Sequence, residues 1–308
     1  MTYNQLWKRL TVIYNEREAQ AIVRTVLDAL FGMSLTDICL GKVTQLSADD
    51  TTRLEKIIQR LEKSEPVQYV LGAEWFAGRL FSVAPGVLIP RPETEDLVKW
   101  ACDEAKEKEK EDNSKKERGE EEKEGLKKEE EAPHPSILDI GTGSGCIAIT
   151  VALALPQARV TAWDISPDAL AIAAGNAHKL GASVRFEHQD ALSAPDDKER
   201  WDVIVSNPPY ICDRERADMS DNVLSYEPEL ALFVPDSDPL LFYRAIARYA
   251  SKALKPDGRL LFETNTAYAH EVAQAMADEG FTAIEVRNDC FGKPRMVKGA
   301  FIREELIK

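Results

Sequence analysis

The chain has 308 residues, 44% of them hydrophobic, and a formal net charge of −14 at pH 7. This length permits two domains and a sizeable core. The acidic balance argues against a broad phosphate-binding surface, which needs clustered Lys and Arg, so we do not expect direct nucleic-acid binding. The charge is uneven, because residues 103–131 contain 14 acidic and 9 basic side chains.

Signals for targeting and metal binding are weak. The first residues lack the basic stretch and apolar core of a signal peptide. The longest apolar run, near Cys146–Leu155, is about half of a membrane span. The five cysteines form no CxxC pair, and the four histidines form no HExxH motif. We therefore expect a soluble cytoplasmic protein with no membrane partner, no disulfide framework and no metal.

The N-terminal region has the pattern of a small helical bundle. Apolar side chains recur at helical spacing over Leu6–Tyr14, Ile22–Leu30 and Leu54–Leu61. Ser47 and Asp50 resemble a capping box, and Pro66 is expected to end the helix that follows them. Residues 1–71 are therefore predicted to form a helical domain, which we expect to recognise the partner molecule.

Short β-like runs follow at Trp75-Phe76, Leu80–Val83 and Val87–Ile89, separated by Gly78 and Pro85-Gly86. They predict a β-hairpin linker over residues 72–90. In Pro90–Glu95, two prolines stiffen the backbone before a helix that is expected to start near Thr94. The charged run at 103–131 has almost nothing to bury, so it is predicted to be a disordered insertion.

Strand and helix patterns alternate after His134. Seven strands are predicted: Ile137–Ile140, Arg159–Trp163, Val184–Glu187, Asp202–Ser206, Arg259–Glu263, Ala283–Arg287 and Met296–Phe301. Helical stretches separate the first five, as in Ala169–Leu180 and Pro239–Leu254. This order predicts an α/β fold with a doubly wound, mainly parallel sheet in a domain over residues 91–308. Ligands then bind at the carboxyl ends of the strands.

Three strand ends carry a pattern typical of a nucleoside cofactor site. The first strand runs into Gly141-Thr142-Gly143-Ser144-Gly145, where glycines allow a ligand to approach the backbone and leave amide N–H groups free. Asp164 ends the second strand, at a spacing typical of a carboxylate that binds ribose hydroxyls. Asp190 follows the third strand and could accept from the amino group of an adenine.

The fourth strand is followed by the tetrad Asn207-Pro208-Pro209-Tyr210. The two prolines force a rigid, extended exit from the sheet. That rigidity can direct the Asn207 side-chain oxygen and the Pro208 carbonyl at the two hydrogens of a planar NH₂ group. Tyr210 can cover the flat face of the same group.

These residues resemble class I S-adenosylmethionine-dependent methyltransferases that act on planar nitrogens. More specific sequences, with the helical N-terminal domain, resemble the release factor glutamine methyltransferase family: Pro90–Glu95, Tyr226–Leu232, Phe242–Arg244, Asp289, Gly292 and Arg295. The resemblance implies a seven-stranded Rossmann-like sheet and S-adenosylmethionine as the cofactor. It also implies methylation of the glutamine N5 in the Gly-Gly-Gln motif of a peptide chain release factor.

The resemblance also implies roles for individual residues. The cofactor would contact Gly141, Thr142, Gly143, Ser144, Gly145, Asp164, Asp190, Ala191 and Asn207. Catalysis and substrate binding would fall to Asn207, Pro208, Pro209 and Tyr210.

Two other functions remain open. The tetrad is shared by enzymes that methylate adenine N6 or guanine N2, so a DNA or RNA amino-methyltransferase acting on a flipped base is one alternative. The acidic composition and the helical N-terminal domain count against it. A non-catalytic module that keeps a cofactor-binding fold is the second alternative, and the intact tetrad argues against that one.

Overall fold

The computed structural model describes residues 1–120 and 134–302. Small helices come first, a hairpin follows them, and a large α/β unit completes the chain. Within the described ranges, no helix is both long enough and apolar enough to cross a membrane.

The N-terminal helices are α1 (Tyr3–Leu10), α2 (Glu16–Phe31), α3 (Leu35–Cys39), α4 (Ala48–Leu61) and α5 (Val67–Leu71). Before each of the first four, a side-chain oxygen accepts a backbone N–H of the first turn, which satisfies a donor that the helix leaves unpaired. Their apolar stripes form one buried cluster. Helix α4 ends more than one turn before Pro66, so that predicted boundary is wrong. The chain turns at Ser64, which has a φ of 64°.

The hairpin pairs β1 (Ala73–Phe76) with β2 (Arg79–Ser82) in antiparallel orientation. Its turn residues Ala77 and Gly78 both have positive φ, 48° and 72°, as a type I′ turn requires. The amide of Asn176 accepts from Ser82 N (2.7 Å) and donates to Ser82 O (2.9 Å), which attaches the hairpin to the large unit. The strand-like interpretation of Val87–Ile89 is wrong, because these residues form an irregular loop with buried apolar side chains.

Helix α6 extends over Glu93–Glu120, so the prediction of disorder is wrong for residues 103–120. Composition could not reveal the partners of its charged side chains. The buried Glu104 carboxylate accepts from Lys298 (2.5 Å), Arg259 (3.2 Å) and the Trp100 indole (3.0 Å). The remainder of the predicted insertion, residues 121–131, lies outside the described residues.

The strands of the large unit begin with β3 (Ser136–Ile140), β4 (Arg159–Asp164), β5 (Val184–His188) and β6 (Trp201–Ser206). They continue with the short β7 (Ile211–Cys212) and β8 (Phe233–Val234), then β9 (Leu254–Glu263), β10 (Thr282–Asn288) and β11 (Pro294–Phe301). Seven form one sheet in the order β10-β11-β9-β6-β3-β4-β5, and β7 pairs with β8 separately. Strand β11 is antiparallel to both its neighbours and the other pairs are parallel. The predicted doubly wound, mainly parallel sheet is confirmed.

The remaining helices are α7 (Cys146–Ala154), α8 (Pro167–Leu180), α9 (Asp221–Tyr226), α10 (Glu229–Leu232), α11 (Leu241–Ala253) and α12 (Ala269–Asp278). Short 3₁₀ helices lie at Lys42–Gln45, Ala191–Ser193, Asp213–Asp218 and Thr266–Tyr268. Helices α6 and α7 cover one face of the sheet, and α11 and α12 cover the other. Central strands β3 and β6 are buried on both faces, as expected for parallel strands. The loops at their carboxyl ends form the functional edge.

Candidate active site

The site lies where the strand order changes direction. From β3 the chain proceeds to β4 and β5 on one side, and then to β6 and β9 on the other. Ile140 at the end of β3 therefore lies beside Ser206 at the end of β6. Crevices of this kind at the carboxyl ends of strands bind ligands in doubly wound folds. The glycine loop and the tetrad leave the sheet here, next to each other.

The glycine loop is held by backbone hydrogen bonds to the end of β4. The amides of Gly141 and Thr142 both donate to the Trp163 carbonyl at 2.9 Å. The amide of Gly143 donates to Asp164 Oδ2 at 2.8 Å. The expectation of free amide groups is therefore wrong for these three residues. Their hydrogen bonds fix the loop before any ligand arrives.

The glycines of this loop serve different purposes. A Cβ at Gly145, where φ is 82°, would lie 2.7 Å from Ile149 Cδ1 and 3.1 Å from Ala173 Cβ. Gly145 is thus required for close packing of α7 against α8. A Cβ at Gly141 would approach the Asn207 carbonyl oxygen at 4.0 Å. Gly141 has a φ of 76°, a conformation that favours glycine, and it places the glycine loop beside the carbonyl of Asn207 in the tetrad.

Asp139 supports the loop from inside the sheet, and sequence analysis did not single it out. Its Oδ2 accepts from Thr142 Oγ1 (2.6 Å) and from the Ala148 amide (3.2 Å). Burial raises the pKa of its carboxyl to about 7. The sequence signal that could have identified Asp139 is an acidic residue inside an otherwise apolar strand.

Ser144 of the glycine loop has a buried side chain, and its carbonyl accepts from Asn176 Nδ2 at 2.9 Å.

Asp164 joins the loops that follow β3 and β4. Its Oδ2 accepts from Gly143 and its Oδ1 accepts from the Ser166 amide at 2.9 Å. Burial raises the pKa of this carboxyl. Each carboxylate oxygen has two lone pairs, so both can still accept from a ribose hydroxyl. The position fits the predicted role.

Asp190 is folded onto its own turn. Its Oδ1 accepts from the Leu192 amide (2.8 Å) and its Oδ2 from the Ser193 hydroxyl (3.1 Å). Ala191 is half-buried against the apolar cluster under α11. Two apolar side chains that sequence analysis missed are exposed beside these strand ends, Ile165 at 42% and Leu192 at 47%. Exposed apolar groups next to two acids suit a flat nucleobase with attached hydroxyls.

The tetrad is fixed at both ends. Asn207 Nδ2 donates to Thr94 Oγ1 at 3.5 Å. The hydroxyl of Tyr210 donates to Glu263 Oε1 at 3.3 Å, and its amide donates to the Leu232 carbonyl at 3.2 Å. Burial raises the pKa of the Tyr210 phenol. Between them, Pro208 is buried and Pro209 half-buried.

A cavity of about 150 Å³ lies against Asn207 and Tyr210. Its walls come from two distant parts of the chain and are mainly apolar: Leu88 and Arg91 on one side, and Ile211, Met219, Val223, Ala231 and Leu232 on the other. A mainly apolar cavity whose polar groups are one amide, one phenol and one guanidinium suits a short side chain that ends in a polar group.

Glu227 joins the two walls. Its buried carboxylate accepts from Arg91 Nη2 at 2.5 Å and from the Ile89 amide at 3.1 Å. The helical domain contacts residues next to these walls. The hydroxyl of Tyr69 donates to Val87 O (2.5 Å), and the hydroxyl of Tyr226 donates to the Lys63 carbonyl (2.8 Å). The structure thus brings together Pro90–Glu95 and Tyr226–Leu232, two of the sequences on which the resemblance rested. Among the described residues, no group of three His, Cys, Asp or Glu side chains could hold a metal.

The sheet and its strand-end residues define a Rossmann-like methyltransferase. The family described as "Methyltransferase small domain" matches residues 125–225, and "PrmC N-terminal domain" matches residues 4–72. A release factor glutamine methyltransferase of Bacteroides thetaiotaomicron is 44% identical over 286 residues, covering 92% of this chain and 94% of that protein. One of Flavobacterium psychrophilum is 36% identical over 297 residues, covering 96% and 97%. The chain belongs to the release factor glutamine methyltransferase family.

The sequence-based expectations of this family, of methyltransferase activity and of S-adenosylmethionine as the methyl donor are confirmed. The chain's own residues fit that donor. Gly141, with a φ of 76°, places the glycine loop beside the tetrad, and Asp164 keeps lone pairs for hydroxyls. Ile165 and Leu192 offer exposed apolar contacts.

Proposed function

We propose that this protein transfers a methyl group from S-adenosylmethionine to the side-chain nitrogen N5 of the glutamine in the Gly-Gly-Gln motif of peptide chain release factors. It thereby supports translation termination, and we place the reaction in the cytoplasm, where translation terminates. The observation that carries the proposal is the cavity lined by Asn207 and Tyr210, since Asn207 also lies beside Gly141 of the glycine loop. Similarity to the two relatives over nearly their whole length supports the same substrate.

In this proposal, the glycine loop, Asp164, Asp190 and Ala191 hold the donor and the tetrad holds the glutamine. When bound, S-adenosylmethionine supplies a methyl group that its positively charged sulfur already activates. The chain's residues therefore need no covalent nucleophile, and the methylated amide nitrogen releases one proton to solvent after the transfer. Their task is to bind the amide and orient it toward the Gly141 side of the tetrad.

Orientation matters because an amide nitrogen is a poor nucleophile, its lone pair being delocalised into the carbonyl. The Asn207 side-chain oxygen and the Pro208 carbonyl accept hydrogen bonds from the two N–H groups of the glutamine amide. These bonds orient the nitrogen toward the Gly141 side of the tetrad. Tyr210 packs on the amide plane. Positioning of this kind lowers a barrier by up to roughly 7–11 kcal/mol in well-oriented systems.

We further propose that the helical domain over residues 1–71 recognises the release factor. The contacts from Tyr69 to Val87 and from Tyr226 to Lys63 support this division of work. Through these two contacts, a release factor bound to the helices would affect the position of the segments that form the cavity walls. An enzyme that recognises its protein substrate in this way does not need to bind nucleic acid.

The test uses S-adenosylmethionine with a radiolabelled methyl group. The enzyme is offered a release factor, the same factor with its motif glutamine replaced by alanine, and DNA and RNA. We expect label only on the unaltered factor. Equal labelling of both factors, or labelling of nucleic acid alone, would reject the proposal, the second outcome in favour of a base-modifying enzyme. No labelling of any substrate would favour a binding module.

A further inference from the structure

The geometry points to Thr94 and Glu263 as positioning residues that determine which end of the Asn207 amide faces the substrate. This inference rests on the proposed function and concerns the same site. Neither residue lines the cavity. They act on it through a chain of hydrogen bonds that runs in one direction.

The direction follows from counting protons. Thr94 Oγ1 carries one hydrogen and donates it to Glu263 Oε2 at 2.7 Å. Toward Asn207, the hydroxyl can therefore only accept. Asn207 must present its Nδ2 to Thr94, at 3.5 Å, which leaves its Oδ1 as the acceptor for the substrate N–H. Without Thr94, nothing in this chain of bonds would distinguish the two orientations of the amide, which have nearly the same shape.

Glu263 serves both ends of the tetrad. Its Oε2 accepts from Thr94 and its Oε1 accepts from the Tyr210 hydroxyl at 3.3 Å. The Tyr243 hydroxyl donates to the Glu263 carbonyl at 3.2 Å, which fixes the backbone at the end of β9. This carboxylate thus orients the Asn207 side chain indirectly, through Thr94, and the Tyr210 side chain directly.

The burial of this carboxylate argues for a role in the site. Glu263 is 1% exposed and Thr94 is 2% exposed, and burial raises the pKa of the Glu263 carboxyl. Among the described residues, no Lys, Arg or His forms an ion pair with Glu263. Arg295 attracts its charge without reaching ion-pair distance, and a buried carboxylate without a direct ion pair is costly for folding. Its side-chain hydrogen bonds go instead to Thr94 and to the tetrad.

The experiment compares Thr94→Val with Thr94→Ser, because valine keeps the shape of threonine and serine keeps the hydroxyl. Thr264→Val is the matched control: Thr264 is equally buried, adjoins Glu263 in sequence, and its Oγ1 has no hydrogen-bond partner. Each variant is assayed for kcat and KM with the release factor. Affinity for S-adenosylmethionine, measured by calorimetry, reports whether the variant is folded.

We expect Thr94→Val to lower kcat about 3- to 10-fold, the scale of one hydrogen bond, with KM and cofactor affinity near the wild-type values. Thr94→Ser and Thr264→Val should keep kcat within about twofold. Equal kcat for Thr94→Val and Thr264→Val would overturn the inference, as would a failure of serine to restore activity. Methylation by the wild-type enzyme tests the proposed function separately.

A second variant, Glu263→Gln, tests the direction of the chain. A glutamine amide at this position can donate to Thr94, which frees the threonine proton to point at Asn207 and favours the wrong amide orientation. We expect kcat to fall about 10- to 100-fold, as for a hydrogen bond to a charged group. The double variant with Thr94→Val should have a kcat only slightly below that of Glu263→Gln alone, because both substitutions act through Asn207. Fully additive losses would contradict the proposed chain.

Discussion

The cofactor side and the substrate side of the site are constructed differently. On the cofactor side, the loop after β3 is attached to the adjacent end of β4 through Trp163 and Asp164. On the substrate side, Arg91 and Glu227 join walls whose residues are 136 positions apart in sequence. Neighbouring strand ends thus suffice to form the cofactor side, whereas the substrate side depends on long-range contacts that also reach the helical domain. A substitution on one side should therefore impair the function of that side and leave the other side largely intact.

Asn207→Ala should separate the two sides most sharply. The variant loses the side-chain acceptor for the glutamine amide, while the glycine loop keeps its hydrogen bonds to β4. We expect kcat to fall about 1,000-fold, the upper range for removing one preorganised polar contact to a reacting group. Much of the affinity for S-adenosylmethionine, measured by calorimetry, should remain, because the other expected cofactor contacts are unaltered. Near-normal turnover would exclude Asn207 from the chemistry.

Asp164→Asn should affect the other side. An asparagine has one acceptor oxygen where the carboxylate has two, so either Gly143 or Ser166 loses its partner and the ribose site is weakened. We expect the Kd for S-adenosylmethionine to rise about 10- to 100-fold. At saturating cofactor, KM for the release factor should remain unchanged. The exposed Asp168→Asn in the first turn of α8 serves as control. An unchanged Kd would show that Asp164 is only structural.

Asp139→Asn should change how stability depends on pH. Because burial raises the pKa of Asp139 to about 7, the folded protein retains this proton above about pH 4, where the unfolded chain releases it. Wild-type stability should therefore fall relative to the variant by about 1.4 kcal/mol per pH unit from about pH 4 to about pH 7, and level off above that. Urea unfolding of both proteins across this range measures the difference. Parallel curves would show that the buried carboxyl has no raised pKa.

Glu227→Gln should have the smallest effect and should be confined to the substrate side. The variant loses the ion pair with Arg91 but can still accept from the Ile89 amide. We expect KM for the release factor to rise about 3- to 10-fold, because one wall of the cavity is less firmly held. Affinity for S-adenosylmethionine should not change. Glu229→Gln is the matched control, since Glu229 pairs with Arg216 while remaining 71% exposed. If both variants behave alike, the walls do not depend on Glu227.

The difference between local and long-range contacts also explains which features could be predicted from the sequence. All seven strands of the main sheet were predicted correctly, and the glycine loop, Asp164 and the tetrad could be located at their ends, because each is a short local pattern next to an apolar run. Thr94 and Glu263 are 169 positions apart, and nothing local to either residue indicates the other. The ordered part of the charged run was missed for a similar reason, since Glu104 finds Arg259 and Lys298 only in the folded protein.

Mass spectrometry can identify directly the residue of the release factor that receives the methyl group. A release factor purified from cells that lack methylation activity is incubated with S-adenosylmethionine and the wild-type enzyme, or with Asn207→Ala. The peptide containing Gly-Gly-Gln is then sequenced by tandem mass spectrometry. We expect the added mass of one methyl group on the glutamine side chain with the wild-type enzyme, and none with the variant over the time in which the wild-type reaction is complete. Methylation of another residue, or equal methylation by both enzymes, would contradict it.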